Sequence, residues 1–203
     1  MSKVHRRSFM VIAFALVLLF SVNAKAQFWK KEQTEEERKE EIQQEKADIR
    51  KMAKGTLDRL YELQPGAREA IKESAGYGVF SNFGMKIFVA GGGRGKGIVF
   101  DNKRQEQTFM KMVELQAGYG FGVKKFRLIW VFKNHSDVTE FVNSGWEFGG
   151  QVTGAAKLGD EGVAFTGAMS ISPGIWLYQL TDEGVAIELT GKGTKYYKDD
   201  DLN

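Results

Sequence analysis

The residues whose spacing most invites a chemical interpretation are the glycines and cations of Gly91-Gly92-Gly93-Arg94-Gly95-Lys96-Gly97. A phosphate-binding loop needs four residues between its glycines, then Lys and Ser or Thr, at the start of a helix. Here Gly97 follows Lys96, and no helical pattern comes after it. The dinucleotide fingerprint also fails, because Lys96 stands where a glycine is required. The segment therefore predicts a tight hairpin and no nucleotide site.

Side chains capable of catalysis or metal binding are scarce. The 203 residues include no Cys and two His, which excludes a thiol nucleophile, a disulfide framework and a thiolate zinc site. His135, Ser136 and Asp137 are adjacent, but neighbours in sequence seldom form a triad and no nucleophile elbow accompanies them. Asp199-Asp200-Asp201 lacks the spaced acids of a calcium loop and is predicted to be a solvated tail. We expect no enzymatic activity, no metal and no cofactor.

The first 26 residues have the composition of an export signal. Arg6 and Arg7 lie in a basic start, an apolar run extends from Phe9 to Phe20, and Ala24-Lys25-Ala26 places small residues at −3 and −1. The apolar run is shorter than the ~20 residues that span a bilayer. We predict cleavage before Gln27 and a periplasmic or secreted protein. The general secretory route and the twin-arginine route are the two alternatives for export.

Charge is unevenly distributed along the chain. There are 29 Lys and Arg against 26 Asp and Glu, and removal of the predicted signal leaves 25 against 26, which gives no argument for nucleic-acid binding. Residues 86–133 hold ten bases and three acids, whereas residues 134–203 hold four bases and eleven acids. The basic segment would attract anionic lipid headgroups at roughly 1 kcal/mol per residue. The alternative is that the two segments neutralise each other across a closed sheet.

The elements that must position these residues are helical before Ala75. An apolar stripe at helical spacing predicts a long helix whose charged face is solvated and whose stripe packs on a sheet. The stripe consists of Ile42, Ile49, Met52, Ala53, Leu57 and Leu60. Pro65-Gly66 ends this helix, and a short second helix follows from Ala67.

Beyond Ala75 the pattern changes to short strands, and 22 of the 24 glycines lie there among β-branched and aromatic residues. The predicted strands are 76–82, 86–92, 97–101, 107–117, 119–132, 146–157, 163–171, 174–181 and 184–190. Val138 and Phe141 predict one inserted helix, capped by Ser136 or Asp137. Asp182-Glu183-Gly184 predicts a hairpin turn.

Two sets of glycines alternate with other residues: Gly91, Gly93, Gly95 and Gly97, and then Gly118, Gly120 and Gly122. Alternation places each set on one face of a strand. A face without side chains lets another element approach closely, or lets the sheet coil sharply. The predicted fold class is α+β: N-terminal helices followed by a strongly curved, Gly-rich antiparallel β-sheet or barrel with one inserted helix.

Five segments resemble the SYLF domain family, also called DUF500 or the yeast-type actin-binding and lipid-binding domain. They follow one another in order over about 130 residues and are Ser74–Phe80, Ala90–Val99, Gln116–Gly122, Leu177–Thr181 and Gly193–Tyr197. The closing segment is most similar to the exported bacterial branch. The resulting organisation is a signal peptide at 1–26, a charged helix at 27–65 and a SYLF-like β-rich domain at 66–203.

The resemblance implies a non-enzymatic lipid-binding domain. Eukaryotic relatives bind phosphoinositide membranes and some bind actin, but an exported protein does not meet cytosolic actin, so anionic phospholipid is the expected partner. Many bacterial relatives are lipoproteins, which a chain without Cys is not. The alternative is an envelope structural protein that binds a protein partner through the helix at 35–63.

The expected lipid-binding residues combine cations for headgroup phosphates with aromatic side chains for apolar contact. They are Arg94, Lys96, Lys124, Lys125, Arg127, Tyr119 and Phe121, with Trp130 as a further apolar contact. Alternation along an unbroken strand would place Lys125 and Arg127 on the face of Tyr119 and Phe121, a mixed face and not a purely apolar core. Phe28-Trp29-Lys30-Lys31 has the composition of a membrane-interface segment or, alternatively, of a mobile tail.

Overall fold

The computed structural model describes residues 35–145, 147–148, 165–182, 184–186 and 192–203; within the long strands it describes 83–91 and 116–124 by their backbone. The predicted signal segment 1–26 and the aromatic and basic residues at 28–31 lie outside the described residues. The chain divides into two units, 1–41 and 42–203. The described part of the first unit is the start of a helix that opens with Glu35, Glu36 and Glu37, where negative charge favours the helix dipole.

Two helices precede the sheet, as the sequence predicts. Helix α1 spans Glu35–Leu63 and helix α2 spans Ala67–Glu73. Pro65 and Gly66 separate them, since proline disfavours a helical conformation in the residue before it. The apolar stripe of α1 is buried against the sheet at Ile49, Ala53 and Leu60. This confirms that the stripe serves internal packing.

Seven described strands form one strongly curved antiparallel sheet, so the fold is α+β. The strands are β1 (Gly76–Asp101), β2 (Glu106–Phe132), β3 (Glu147–Phe148), β4 (Met169–Ser172), β5 (Ile175–Thr181), β6 (Gly184–Ala186) and β7 (Lys192–Lys198). Helix α3 (His135–Ser144) lies between β2 and β3. Along one edge β2 pairs with β1, and along the other it pairs with β7 near its start and with β5 near its end.

The predicted segmentation of the first strands is wrong. Predicted strands 76–82, 86–92 and 97–101 are one continuous strand, and 107–117 with 119–132 form another. The glycine run at 91–97 is therefore not a hairpin. The reversal occurs at Asn102–Gln105, where Asp101 Oδ1 accepts hydrogen bonds from the backbone N–H groups of Lys103 and Arg104, both at 3.0 Å. A side chain that satisfies turn amides fixes a reversal more directly than glycine does.

The glycines instead allow the last part of β1 to pack closely against its first part. A Cβ on Gly95 would overlap the carbonyl oxygen of Ser81, and a Cβ on Gly97 would overlap that of Val79 and the ring of Phe80. The two ends of this long strand thus approach at backbone distance, which requires strong coiling. The sequence-based expectation that bare glycine positions permit close approach is confirmed at these two residues.

Along the last residues of β2, side chains point alternately to the two faces of the sheet and are buried on both. Phe126, Leu128, Trp130 and Phe132 belong to an inner cluster that packs on α3. Ile129 and Val131 belong to an outer cluster that packs under α1 and α2. A strand buried on both faces is expected to be apolar without alternation, as this one nearly is.

The inner cluster is rich in aromatic rings. Phe141 of α3 has its centroid 5.0 Å from Tyr196, 5.1 Å from Phe132 and 5.8 Å from Trp130. The indole Nε1 of Trp130 donates to the Tyr196 hydroxyl at 3.2 Å. Burial raises the pKa of Tyr196 above its ordinary range, so the hydroxyl stays neutral and available as an acceptor.

Several smaller predictions are corrected or confirmed. The cap of α3 is Asn134, two residues before the predicted Ser136, and it makes no side-chain capping bond. The pairing of Thr181 with Gly184 confirms the predicted hairpin at 182–184. β7 was not among the predicted strands. The strand predicted at 163–171 is displaced to Met169–Ser172. Most residues of the strands predicted at 146–157 and 184–190 lie outside the described residues.

The prediction of a solvated tail at 199–201 is correct for Asp200 and Asp201, which are exposed, and wrong for Asp199. Asp199 is 2% exposed, and its Oδ1 lies 2.6 Å from Lys111 Nζ. Asn203 adds to the sheet: its Oδ1 accepts from the Phe109 N–H at 2.9 Å, and its Nδ2 donates to the Phe109 carbonyl at 2.8 Å. Leu202 is buried beside them. Lys111 thus occupies the position between Asp199 and Asp201 where a cation would otherwise bind.

Candidate functional site

Four of the five bases predicted to bind lipid fall on two separate surfaces of the sheet. Arg94 and Lys96 lie on an open part of its outer face, and Lys125 and Arg127 line a groove beside α1. The two surfaces are described in turn.

The first surface is formed by three neighbouring strands, because directly paired residues of antiparallel strands point to the same side. Pairing of β1, β2 and β7 gives three rows of three residues. We call this surface the open face. Its first row is Gly92, Leu115 and Gly193, and its second row is Arg94, Val113 and Lys195. Its third row is Lys96, Lys111 and Tyr197. Residues one position along each strand point inward instead, among them Met112 and Tyr196.

Apolar side chains are unusually accessible on the open face. Leu115 is 73% exposed and Tyr197 is 37% exposed. Both cross-strand neighbours of Leu115 are glycines, so no adjacent side chain in its row covers it. A protruding leucine flanked by cations on neighbouring rows is suited to an interface with an apolar layer beneath a charged one.

The cations of the open face differ in whether a carboxylate forms an ion pair with them. Lys96 forms an ion pair with Glu45 of α1. Lys111 lies between Asp199 at 2.6 Å and Asp201 at 3.5 Å. Hydrogen bonding to Asp199 raises the pKa of Lys111 against the opposing effect of desolvation. No carboxylate among the described residues lies within ion-pair distance of Arg94.

These pairs partly support the alternative that the basic and acidic segments neutralise each other. Lys111 belongs to the basic segment, and Asp199 and Asp201 belong to the acidic one. Arg94, Lys125 and Arg127 make no such pair among the described residues. Among the described residues, neutralisation between the two segments is therefore seen at Lys111 and not at these three cations.

The second surface is a groove of about 630 Å³ between α1 and the ends of β2 and β5. One wall is the helix, with Lys51, Met52, Gly55 and Arg59. The other wall is formed by strand residues. They are Lys125, Phe126 and Arg127 of β2 and Leu180 and Thr181 at the end of β5, followed by Asp182. We call it the α1 groove.

Cations outnumber acids in the α1 groove. Lys51, Arg59, Lys125 and Arg127 line it together with two acids, Asp48 and Asp182. Arg59 is paired with Glu62 at 3.0 Å. Lys51, Lys125 and Arg127 have no ion-pair partner among the residues that the structure describes. An anion entering the groove would therefore meet uncompensated positive charge from both walls.

The other residues predicted to bind lipid are Trp130, Tyr119, Phe121 and Lys124. Trp130 is 1% exposed in the inner cluster, so its prediction as an apolar membrane contact is wrong. The side chains of Tyr119, Phe121 and Lys124 lie outside those described. The pairing of β1 with β2 shifts register between Phe88 and Ala90, opposite residues 117–120. Alternation is therefore interrupted next to Tyr119, whereas the pairing continues without a shift from Gly120 to Phe132, the part of β2 that holds Phe121, Lys125 and Arg127.

Lys125 and Arg127 do share a side of β2 with Ile129 and Val131, which pack under the helices. This side of β2 is apolar where the helices cover it and basic at Lys125 and Arg127. Sequence reasoning missed Lys51, Arg59 and Gly55 in the α1 groove and Leu115 on the open face. Of these residues, Gly55 could have been noticed in the sequence. A glycine in the interior of a helix lowers the stability of the helix and therefore often has a packing or functional reason.

His135 does not take part in a catalytic arrangement with its neighbours. It begins α3, and its Nδ1 lies 3.3 Å from Asp101 Oδ2 at the turn between β1 and β2. Asp137 is engaged by Asn134, whose Nδ2 donates to its Oδ2 at 3.0 Å.

Among the described helices, none is long and apolar enough to cross a membrane.

Fold and surfaces define an α+β protein with a coiled antiparallel sheet and two basic surfaces. No family model matches the chain. It is similar to Beta cell expansion factor A of Aeromonas veronii, with 28% identity over 154 residues. The matched region covers 76% of this chain and 57% of that protein, so the chain spans less than two thirds of the curated relative's length.

Proposed function

We propose that the protein is an exported, non-enzymatic SYLF-type protein that binds anionic phospholipid headgroups at a membrane surface. The observation that carries the proposal is Leu115, which is 73% exposed in a row of glycines next to the row of Arg94 and Lys195. An apolar side chain next to a row that carries two cations matches a bilayer surface, whose phosphates lie above its hydrocarbon layer. The resemblance of five sequence segments to the SYLF family supports the same ligand class.

Vesicle flotation tests the proposal. We expect the protein to float with vesicles containing phosphatidylglycerol and not with purely phosphatidylcholine vesicles, and to bind less as salt rises. Leu115→Ser and Arg94→Gln should each lower the partition coefficient. The reduction should be at least about tenfold for Leu115→Ser, since burying a leucine is worth about 1.5–3 kcal/mol, and about fivefold for Arg94→Gln.

The matched control is Lys103→Gln, which removes one positive charge from the exposed turn between β1 and β2, away from the open face. It should bind as the unaltered protein does. If Lys103→Gln weakens binding as much as Arg94→Gln, only net charge matters and the open face is not the contact surface. Failure of the protein to float with either vesicle would contradict the whole proposal.

Export is a separate part of the proposal and rests on the sequence pattern before Gln27. The basic start, the apolar run and the small residues at −3 and −1 are those of a cleaved signal. When the full chain is expressed in a Gram-negative host, we expect the intact mass of the periplasmic protein to correspond to residues 27–203. A mass that includes residues 1–26 would show that the signal is retained.

The alternative is an envelope protein that docks a partner on α1. In the part of α1 from Ile42 onward, the apolar stripe packs on the sheet and the exposed face carries charges such as Lys54, whose Nζ lies 2.6 Å from Asp58 Oδ2. A partner would meet a charged helix surface and not an apolar one. The open face offers apolar contact that this helix surface does not, which favours the lipid proposal.

A further inference from the structure

The α1 groove has cations on both walls. Lys51 projects from the helix side, and Lys125 and Arg127 belong to β2 on the opposite side. These three lack ion-pair partners among the described residues. Each uncompensated cation raises the affinity for an anion, and charge-assisted hydrogen bonds are among the stronger polar contacts. A ligand with more than one negative charge satisfies this arrangement better than a singly charged carboxylate.

The floor of the α1 groove is apolar. Met52 of the helix and Leu180 of β5 line it between the charged walls. Leu180 is 4% exposed and belongs to the outer cluster, against which Met52 also packs, so the floor is held in place by the core. An inorganic anion would leave this floor in contact with water. A ligand carrying an apolar part next to its charge would cover it.

Gly55 keeps the α1 groove open at its helical wall. It lies in the interior of α1, where glycine costs about 0.5–1 kcal/mol relative to alanine. A Cβ at this position would meet no atom within 4 Å. Packing within the protein therefore does not require glycine here. The missing side chain leaves the helical wall of the groove open, and a side chain larger than alanine would extend into that space.

We propose that the α1 groove binds one molecule of a phosphorylated amphiphile, with its phosphate monoester between Lys51, Lys125 and Arg127 and its apolar part along Met52 and Leu180. A phosphate monoester carries about −1.5 to −2 charges at pH 7. The groove volume of about 630 Å³ lies in the range of about 300–1,000 Å³ usual for small-molecule sites. The inference deepens the proposed lipid-binding function by assigning a site for single molecules, distinct from the open face.

Calorimetric titration of the full-length protein tests this proposal with three soluble probes. They are dihexanoyl phosphatidic acid below its micelle concentration, dihexanoylglycerol, which lacks the phosphate, and inorganic phosphate, which lacks the chains. We expect saturable one-to-one binding of the phosphatidic acid, and at least tenfold weaker binding of the other two. Equal affinity for inorganic phosphate would overturn the amphiphile assignment, leaving a simple anion site. Equal affinity for the glycerol would overturn the role of the cations.

Substitutions locate the binding. Lys51→Gln and Arg127→Gln should each weaken phosphatidic acid about tenfold. Lys54→Gln, one turn along the helix and outside the groove lining, is the matched control and should leave affinity unchanged. Gly55→Leu should abolish binding by filling the groove, and Gly55→Ala should retain most of it.

Gly55→Leu removes no packing contact, so its melting temperature should not fall below that of the original chain. Unaltered phosphatidic acid affinity in a folded Gly55→Leu protein would overturn the groove assignment. The vesicle assay separates the two proposals, because Gly55→Leu leaves Leu115 and Arg94 intact and should still float with anionic vesicles. Loss of groove binding with flotation preserved supports both proposals. Flotation without any binding of monomeric phosphatidic acid refutes the groove proposal alone.

Discussion

Replacement of Gly97 by alanine is expected to destabilise the protein by about 3 kcal/mol or more. The new methyl group would overlap the Val79 carbonyl oxygen and the ring of Phe80. One of these obstacles is backbone, which cannot rotate away, and the rings and strands around it are closely packed. Overpacking of a core commonly costs 1–3 kcal/mol, and a backbone obstacle places this case at the upper end or beyond. The free energy of unfolding in urea is the measurement.

Gly92→Ala is the matched control for this prediction. Gly92 lies in the same strand on its exposed side, and an added Cβ would be 3.4 Å from the Glu114 carbonyl oxygen, an ordinary contact. It should change the free energy of unfolding by less than about 0.5 kcal/mol. Equal stability of the Gly97→Ala and Gly92→Ala proteins would show that β1 does not pack across itself as described.

Phe141→Ala should cost about 3–5 kcal/mol, the usual range for removing a buried aromatic ring. The ring lies within about 6 Å of four other aromatic rings, those of Phe80, Trp130, Phe132 and Tyr196. Because α3 buries Val138 and Phe141 as its principal anchors, the helix should detach more readily than the sheet unfolds. Urea denaturation gives the cost, and near-ultraviolet circular dichroism gives the loss of aromatic order.

Glu140→Ala is the control on the same helix, since Glu140 is exposed and the change slightly favours helix formation. It should leave the free energy of unfolding within about 0.5 kcal/mol of the original. A loss below about 1 kcal/mol for Phe141→Ala would indicate that the inner cluster does not depend on α3.

The parts of the fold that sequence predicted well are those encoded by local periodicity. The stripe of α1, the boundary at Pro65-Gly66 and the strand 174–181 follow directly from side-chain spacing, and the structure has each of them within a residue or two. The α+β class follows from the change of period after Ala75. These features need no knowledge of distant partners.

The length of β1 could not be predicted in the same way. A run such as Gly91–Gly97 is compatible with a turn or with a strand crossed closely by another segment. The choice depends on the approach of Ser81 and Val79, which are more than ten residues away in the sequence. The true turn at Asn102–Gln105 carries an Asp101 that satisfies its amides, a weaker signal than seven residues rich in glycine.

The sequence predicts one set of bases, and those whose side chains the structure describes lie on two surfaces. Lys125 and Arg127 are separated from Arg94 and Lys96 because α1 covers the sheet between them, from Ile49 to Leu60. Lys51 and Arg59 escaped notice because charged residues on the solvated face of a helix are common. Their role depends on which strand lies opposite, and that is a property of packing and not of spacing.

The burial of β2 on both faces has a consequence for the nascent chain. Residues 126–132 are apolar apart from Arg127. One edge of this segment pairs with β1, which is made earlier, but the partner of the other edge, β5, begins only at Ile175, after α3 has been made. Until then a β-prone segment is available for pairing with other copies, which is the usual origin of aggregation. Charged residues flanking such a segment oppose this association. Lys124, Lys125 and Arg127 at one end and Lys133 at the other therefore act as gatekeepers before the α1 groove exists.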